Sequence, residues 1–257
     1  MHSVEIKHTT RQIIALTKSN MMSRYRKTIA GFLWVVLNPI IMYAVQSFVF
    51  RKLLKIEVPN YSLFLLCGLL PWIFITMTMD MVTPILDLSS DLLKSFKMNP
   101  VVLVLSQILD NFFNFLFAFL IVLIPTWAFM GGEWKGIFFL PFILLSLVGT
   151  TAAVCWLLAT LQVFYKDVKF VVSFILSILF FLTPIFYPVD YVPENYRFLV
   201  SLNPIYALIE PFRFSIYNFD LSLLLKGLAK SYFVMIVTTI ISYYYWRKKK
   251  NEFYLSL

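Results

Sequence analysis

The sequence predicts an all-α integral membrane protein. Six transmembrane helices follow an N-terminal amphipathic helix at the membrane interface, a re-entrant helical hairpin sits on the outer face, and both termini are inside. Three observations predict this. Of 257 residues, 60% are hydrophobic and 14% charged, against roughly 45–50% and about 25% in an average soluble chain. Mean hydropathy is +0.81, and a soluble domain of this length has too little interior for so much apolar side chain. The apolar residues also come in continuous runs of the ~20 residues that cross ~30 Å of hydrocarbon, without the alternation of an outer-membrane barrel. A water-soluble enzyme and a disordered chain are both excluded.

The chain reads as one transmembrane domain over residues 1–257. The first 28 residues carry Lys7, Arg11, Lys18, Arg24, Arg26 and Lys27, which is not the pattern of a cleaved secretory signal. Residues 4–21 read as an amphipathic helix, with Ile6, Thr10, Ile13, Ile14, Thr17 and Met21 on one face and Lys7, Arg11 and Lys18 on another. Such a helix lies in the membrane interface or packs against a partner protein. Spans one to five fill 29–189, as 29–50, 61–79, 101–130, 137–165 and 170–189. Pro39 removes a backbone donor in mid-span and predicts a kink.

Between spans two and three, residues 84–97 form a short amphipathic helix. Thr83 is its cap and Pro84 its first residue, Ile85, Leu88, Leu92 and Phe96 share one face, Asp87, Asp91 and Lys94 another, and Asn99-Pro100 stops it. It is either a handle for another protein or a well-built connector. Residues 190–222 are too aromatic for a solvated loop, and Pro188, Pro193, Pro204 and Pro211 cut them into pieces too short to span. Short helices that dip into the outer leaflet and return satisfy both constraints. Span six is 228–246, with Lys230 snorkelling near its end, and 247–257 is a basic cytoplasmic tail. This topology places 14 of the 22 Lys and Arg residues inside and 8 outside, the bias expected of cytoplasmic segments.

Polar groups inside spans are costly and therefore informative. Asp110 lies ten residues into span three, with Gln107 and Asn114 on its face and Asn111 beside it. That face points into the bundle or a wet cavity, as a substrate path or relay, or as an interhelical hydrogen-bond clasp. Asn38 precedes the span-one proline, and LNPI occurs twice, at 37–40 and 202–205. Trp34, Tyr43, Phe181 and Tyr187 are candidates for stacking a sugar ring along a channel; for each, lipid or core contact is the plainer role. His2 and His8 cannot build an intramembrane metal site, and Cys67 and Cys155 read as buried free thiols.

What is missing bears on the energy source. Gly131 and Gly136 have the spacing of a phosphate-binding loop, but Ile137 stands where Lys is required. One deep acid without paired charges also lacks the usual apparatus of ion coupling. A transporter built this way takes its work from a partner.

Five motifs then agree in order: RYRKTIAGFLW at Arg24 to Trp34 with LNP at Leu37 to Pro39, CGLLPW at Cys67 to Trp72, YKDV at Tyr165 to Val168, TPIFYP at Thr183 to Pro188, and LNPI at Leu202 to Ile205. In this the chain resembles, over nearly its whole length, the permease subunits of type-2 bacterial polysaccharide-export ABC transporters, which move O-antigen, capsule or teichoic acid. Lys166 stands where relatives more often have Arg, and KMNP at Lys97 to Pro100 where they carry an aromatic-Pro pair. The resemblance implies an inner-membrane homodimer with two copies of a separate ABC ATPase, which would bind the ATP and magnesium; this chain would hold no cofactor and no catalytic residue. Cargo would be a lipid-linked polysaccharide, most readily O-antigen for lipopolysaccharide; membrane lipids surround the dimer, and no nucleic acid is involved. Asp87, Asp91, Leu92 and Lys94 would couple to the ATPase. Arg24, Arg26 and Lys27 would meet the carrier's pyrophosphate or the ATPase, or serve only as topology determinants. Trp34, Asn38, Tyr43, Asp110, Phe181 and Tyr187 would line the channel. The alternatives are an ion-coupled secondary transporter and a membrane-embedded transferase.

Overall fold

Hydrocarbon leaves a backbone no partner but itself, so a chain of apolar runs must fold as helices. The structure, a computed structural model, describes residues 2–26, 33–96, 98–130 and 134–256, and no strand occurs among them. Lys27, Lys97 and Gly131 lie outside the described residues. The helices are α1 (His2–Tyr25), α2 (Trp34–Leu53), α3 (Tyr61–Val82), α4 (Ile85–Leu88), α5 (Ser90–Phe96), α6 (Pro100–Phe129), α7 (Trp134–Phe164), α8 (Val168–Leu182), α9 (Arg197–Leu202), α10 (Pro204–Phe212) and α11 (Leu221–Ser256). Among the described residues five stretches are long and apolar enough to cross a membrane: α2, α3 with α4, α6, α7 and α11.

The expected fifth span, 170–189, differs. Its helix α8 holds 15 residues, about 22 Å at ~1.5 Å per residue, short of ~30 Å of hydrocarbon. Residues 183–188 leave the helix and turn into the core, where Ile185 and Phe186 are buried. Prolines 184 and 188 explain why the helix cannot continue. Residues 190–222 do break into short pieces, but α10 is not peripheral: Ile205, Leu208, Ile209 and Phe212 are buried in the main core beside α3. Span six is longer than read from sequence, because α11 starts at Leu221 and continues through the expected tail to Ser256.

α3 is the hub, buried on nearly all sides. α7 and α11 pair along their length through small residues: Ser231 Oγ lies 3.2 Å from Ser146 Oγ, and Gly149 faces Met235 so closely that a Cβ would come within 2.6 Å of its sulfur. Two hydrophobic bodies result. The larger surrounds α3 and α10; the smaller gathers Leu86, Leu93, Val104, Ile108, Ala159, Val163 and Phe253 at the end of the bundle that carries α4 and α5. At the opposite end α2 finishes in a π-helical turn at Phe48–Leu53, and α10 runs into another at Arg213–Tyr217; α6 carries a third at Phe119–Leu123. α2 runs through Pro39 as one helix.

The amphipathic faces shift from the expected ones. α1 packs on α6 through a stripe including Ile13, Leu16, Thr17, Met21 and Arg24, and Thr17 Oγ1 donates to the Ile13 and Ser106 carbonyls. Ile14, assigned to the apolar face, is 62% exposed and Thr10 is exposed too, because one helical turn covers 3.6 residues and Ile13 takes the inward place. The 84–97 helix is two helices broken at Ser89 (φ −105°, ψ 20°). The stripe through Leu86 and Leu93, seven residues apart, faces the bundle, while Leu88 is 79% exposed and Leu92 faces out. Thr83 does not cap α4; its hydroxyl donates to Met79 O of the preceding helix at 2.6 Å. Asn99 and Pro100 also open α6, with Asn99 Oδ1 accepting from Val101 N at 3.0 Å.

Candidate functional site

The first polar site is built on the inner stripe of α1. Arg24, at its last turn, crosses to α6, where its Nη2 lies 2.5 Å from Asp110 Oδ2 and 2.8 Å from Asn111 Oδ1. Gln107, one turn before Asp110, donates to the same carboxylate at 3.1 Å. Asp110 is fully buried, and a carboxylate there is stable only when paired and hydrogen-bonded. The sequence offered no second charge within the spans; the partner comes instead from a helix 86 residues earlier.

Above this pair lies a cavity of about 300 Å³ between α2, α3 and α6, lined by Arg24, Trp34, Asn38, Phe74, Asn111 and Asn114 among others. It is at the small end of the roughly 300–1,000 Å³ that ligand sites occupy. Arg24 Nη1 and Asn111 Nδ2 are buried without a hydrogen-bond partner among the described residues. The walls are mostly apolar, and Arg24, Asn38, Asn111 and Asn114 supply the polar groups beside the Trp34 indole.

The expected channel residues therefore divide. Trp34 and Asn38 line this cavity, with Asp110 tied to its Arg24 floor. Tyr43 is elsewhere, its hydroxyl 2.5 Å from Ser62 Oγ. Phe181, 74% exposed, is on α8, and Tyr187 donates to the Phe181 carbonyl at 3.2 Å. Of the three expected pyrophosphate cations, Arg24 is held by Asp110, Arg26 is exposed on a groove with Lys18, Ser19 and Ser23, and Lys27 lies outside the described residues. Among the coupling residues, Asp87 is ion-paired with Lys166 of the YKDV motif, while Asp91, Leu92 and Lys94 are exposed.

The second site was missed in sequence. Arg213, buried at the end of α10, donates through Nη2 to the carbonyls of Pro184 at 2.6 Å and Ile185 at 2.9 Å. Its guanidinium lies 4.1 Å from the centroid of Phe64. It serves a backbone that has left its helix inside the bundle, where each unpaired carbonyl costs several kcal/mol. Tyr61 Oη donates to Phe186 O at 3.0 Å, and Asn203 Nδ2 to Thr183 Oγ1 at 2.8 Å. Thus TPIFYP, CGLLPW and the second LNPI meet around one arginine; a Cβ on Gly68 would lie 3.2 Å from its Nη2. The available signal was a lone Arg in the apolar stretch 204–217. The two LNPI copies do different work: Asn203 caps α10, accepting from Ile205 N and Tyr206 N, whereas Asn38 lines the cavity from inside α2.

A sequence model of the ABC-2 type transporter family matches residues 11–217, which contain Arg24, Asp110 and Arg213. The O-antigen export system permease protein RfbA of Myxococcus xanthus is 28% identical over 210 residues, covering 80% of each chain. Two Klebsiella pneumoniae proteins of the same name are each 25% identical, over 202 and 209 residues, covering 78% of each chain.

Proposed function

The chain belongs to the ABC-2 type transporter family, and on that premise we propose that it is the membrane permease of an ATP-driven exporter of lipid-linked polysaccharide. O-antigen is the cargo the named relatives support, and the bacterial inner membrane is the setting. The family match over most of the chain carries this reading. The chain is a transport subunit, and ATP hydrolysis belongs to a separate ABC ATPase.

The assembly is a homodimer with two ATPase copies, both termini are cytoplasmic, and α8 with residues 183–188 completes a sixth crossing. Residues 190–217 form the outer re-entrant hairpin. α4 and α5 receive the ATPase: Leu88 and Leu92 are exposed beside Asp91 and Lys94, while Leu86 and Leu93 anchor them from beneath. ATP and magnesium are bound by the partner, and this chain contributes no cofactor ligand. The cavity above Arg24 contributes polar contacts to the glycan.

The test is reconstitution. Vesicles with the chain and its co-encoded ATPase should export glycan with ATP, and vesicles with the chain alone should not; export without any ATPase would refute the proposal. Replacing Asp87 and Leu92 together should uncouple hydrolysis from export while insertion is retained. The held Asp110 carboxylate favours this reading over ion coupling. ATP-independent uptake that collapses in Asp110→Asn would reverse that preference.

A further inference from the structure

We infer that Phe253, near the end of α11, is a positioning residue for energy coupling: it anchors the last helix in the body that carries α4 and α5, and so fixes where Leu88 and Leu92 are presented. This rests on the coupling role proposed above for α4 and α5.

Helix length is the first observation. α11 has 36 residues, about 54 Å at ~1.5 Å per residue, far more than ~30 Å of hydrocarbon requires. Its last part, Arg247 to Glu252, has the composition of a solvated helix end, where a chain usually frays. Phe253 nevertheless is fully buried, while Leu255 two residues on is 89% exposed. One side chain returns to the protein from an otherwise polar stretch.

The second observation is where it returns. Phe253 belongs to the smaller hydrophobic body, with Leu86 of α4, Leu93 of α5 and Val163 of α7. Leu86 and Leu93 are the buried anchors on either side of Leu88 and Leu92. Packed interiors transmit displacement because they have little free volume.

The third is bracing. Trp156 and Trp246 stack edge-on at 4.9 Å and Trp246 meets Phe253 at 5.2 Å. Lys249 lies 5.2 Å from the Phe164 ring centroid and pairs with Glu252 at 2.6 Å. The other end of α11 meets α10, where a Cβ on Gly227 would touch Pro211. One helix thereby joins the coupling segment to the hairpin around Arg213.

The experiment uses the full permease with its ATPase in proteoliposomes. Phe253→Ala, and separately removal of residues 253–257, should lower export per assembled complex about tenfold while ATP hydrolysis stays within about twofold. Phe253→Leu, which keeps apolar volume, should restore export. A Leu88→Cys substitution reports position, by thiol cross-linking to an engineered cysteine on the ATPase; Cys67 and Cys155 are fully buried and give little background. Cross-linking should occur in the parent and fall in Phe253→Ala. Export unchanged in Phe253→Ala, export falling only in step with the amount of assembled complex, or an unchanged cross-link each overturns the role of Phe253. Absence of the cross-link in the parent overturns the coupling reading and this inference with it.

Discussion

Two arginines, one half-buried and one buried, are held in opposite ways. Arg24 meets a carboxylate, spends one edge of its guanidinium on Asp110 and Asn111, and borders a cavity. Arg213 makes no ion pair among the described residues; it is packed against rings and turned on two carbonyls of a broken helix. A charge pair beside open volume can exchange partners when a guest arrives. A cation wedged into backbone has nowhere else to go. The first arrangement suits a site that works, the second a joint that holds.

Substitutions sharpen the contrast, beginning with the largest effect. Arg24→Ala strands Asp110 as a buried charge, a loss of about 3–5 kcal/mol. A thermal shift of the detergent-purified protein should fall steeply, and adding Asp110→Asn should recover most of it. If the double variant is no better than the single, the pair is not what holds α1 on α6. Arg213→Ala should cost about 2–4 kcal/mol through carbonyls left without a charged donor, and no second-site neutralisation should repair it. Asn203→Ala, which removes a helix cap, is expected to lose about 1 kcal/mol. Asp87→Asn should change stability by less than about 1 kcal/mol, because its partner Lys166 is 59% exposed; a large loss there would make α4 part of the rigid frame.

The same contrast explains what the sequence could tell. Spans such as 61–79 and 137–165 were legible because apolar length alone specifies them. The depth of Asp110 was legible as a cost, but its partner was not, since nothing local links residue 110 to residue 24. The apolar face of 84–97 was misplaced because the helix turns its Leu86 and Leu93 stripe to the bundle, and nothing local distinguishes that stripe from the one through Leu88 and Leu92. α11 was cut short at Trp246 because four consecutive cations hide the one apolar residue that anchors its end. Arg213 went unnoticed for the reverse reason: it answers a break in α8, and a break is visible only once Pro184 and Ile185 are seen facing inward.

The π-helical turns are distributed with a mechanical meaning. Two of the three close the half of the bundle remote from α4 and α5, at Phe48–Leu53 and Arg213–Tyr217. Turns of this kind interrupt the regular helical ladder and recur at functional sites, whereas the half bearing Phe253 has a dense apolar filling around α4 and α5. Force applied at the filled half would thus reappear as yielding at the interrupted half, like a lever whose hinge has been built far from the hand.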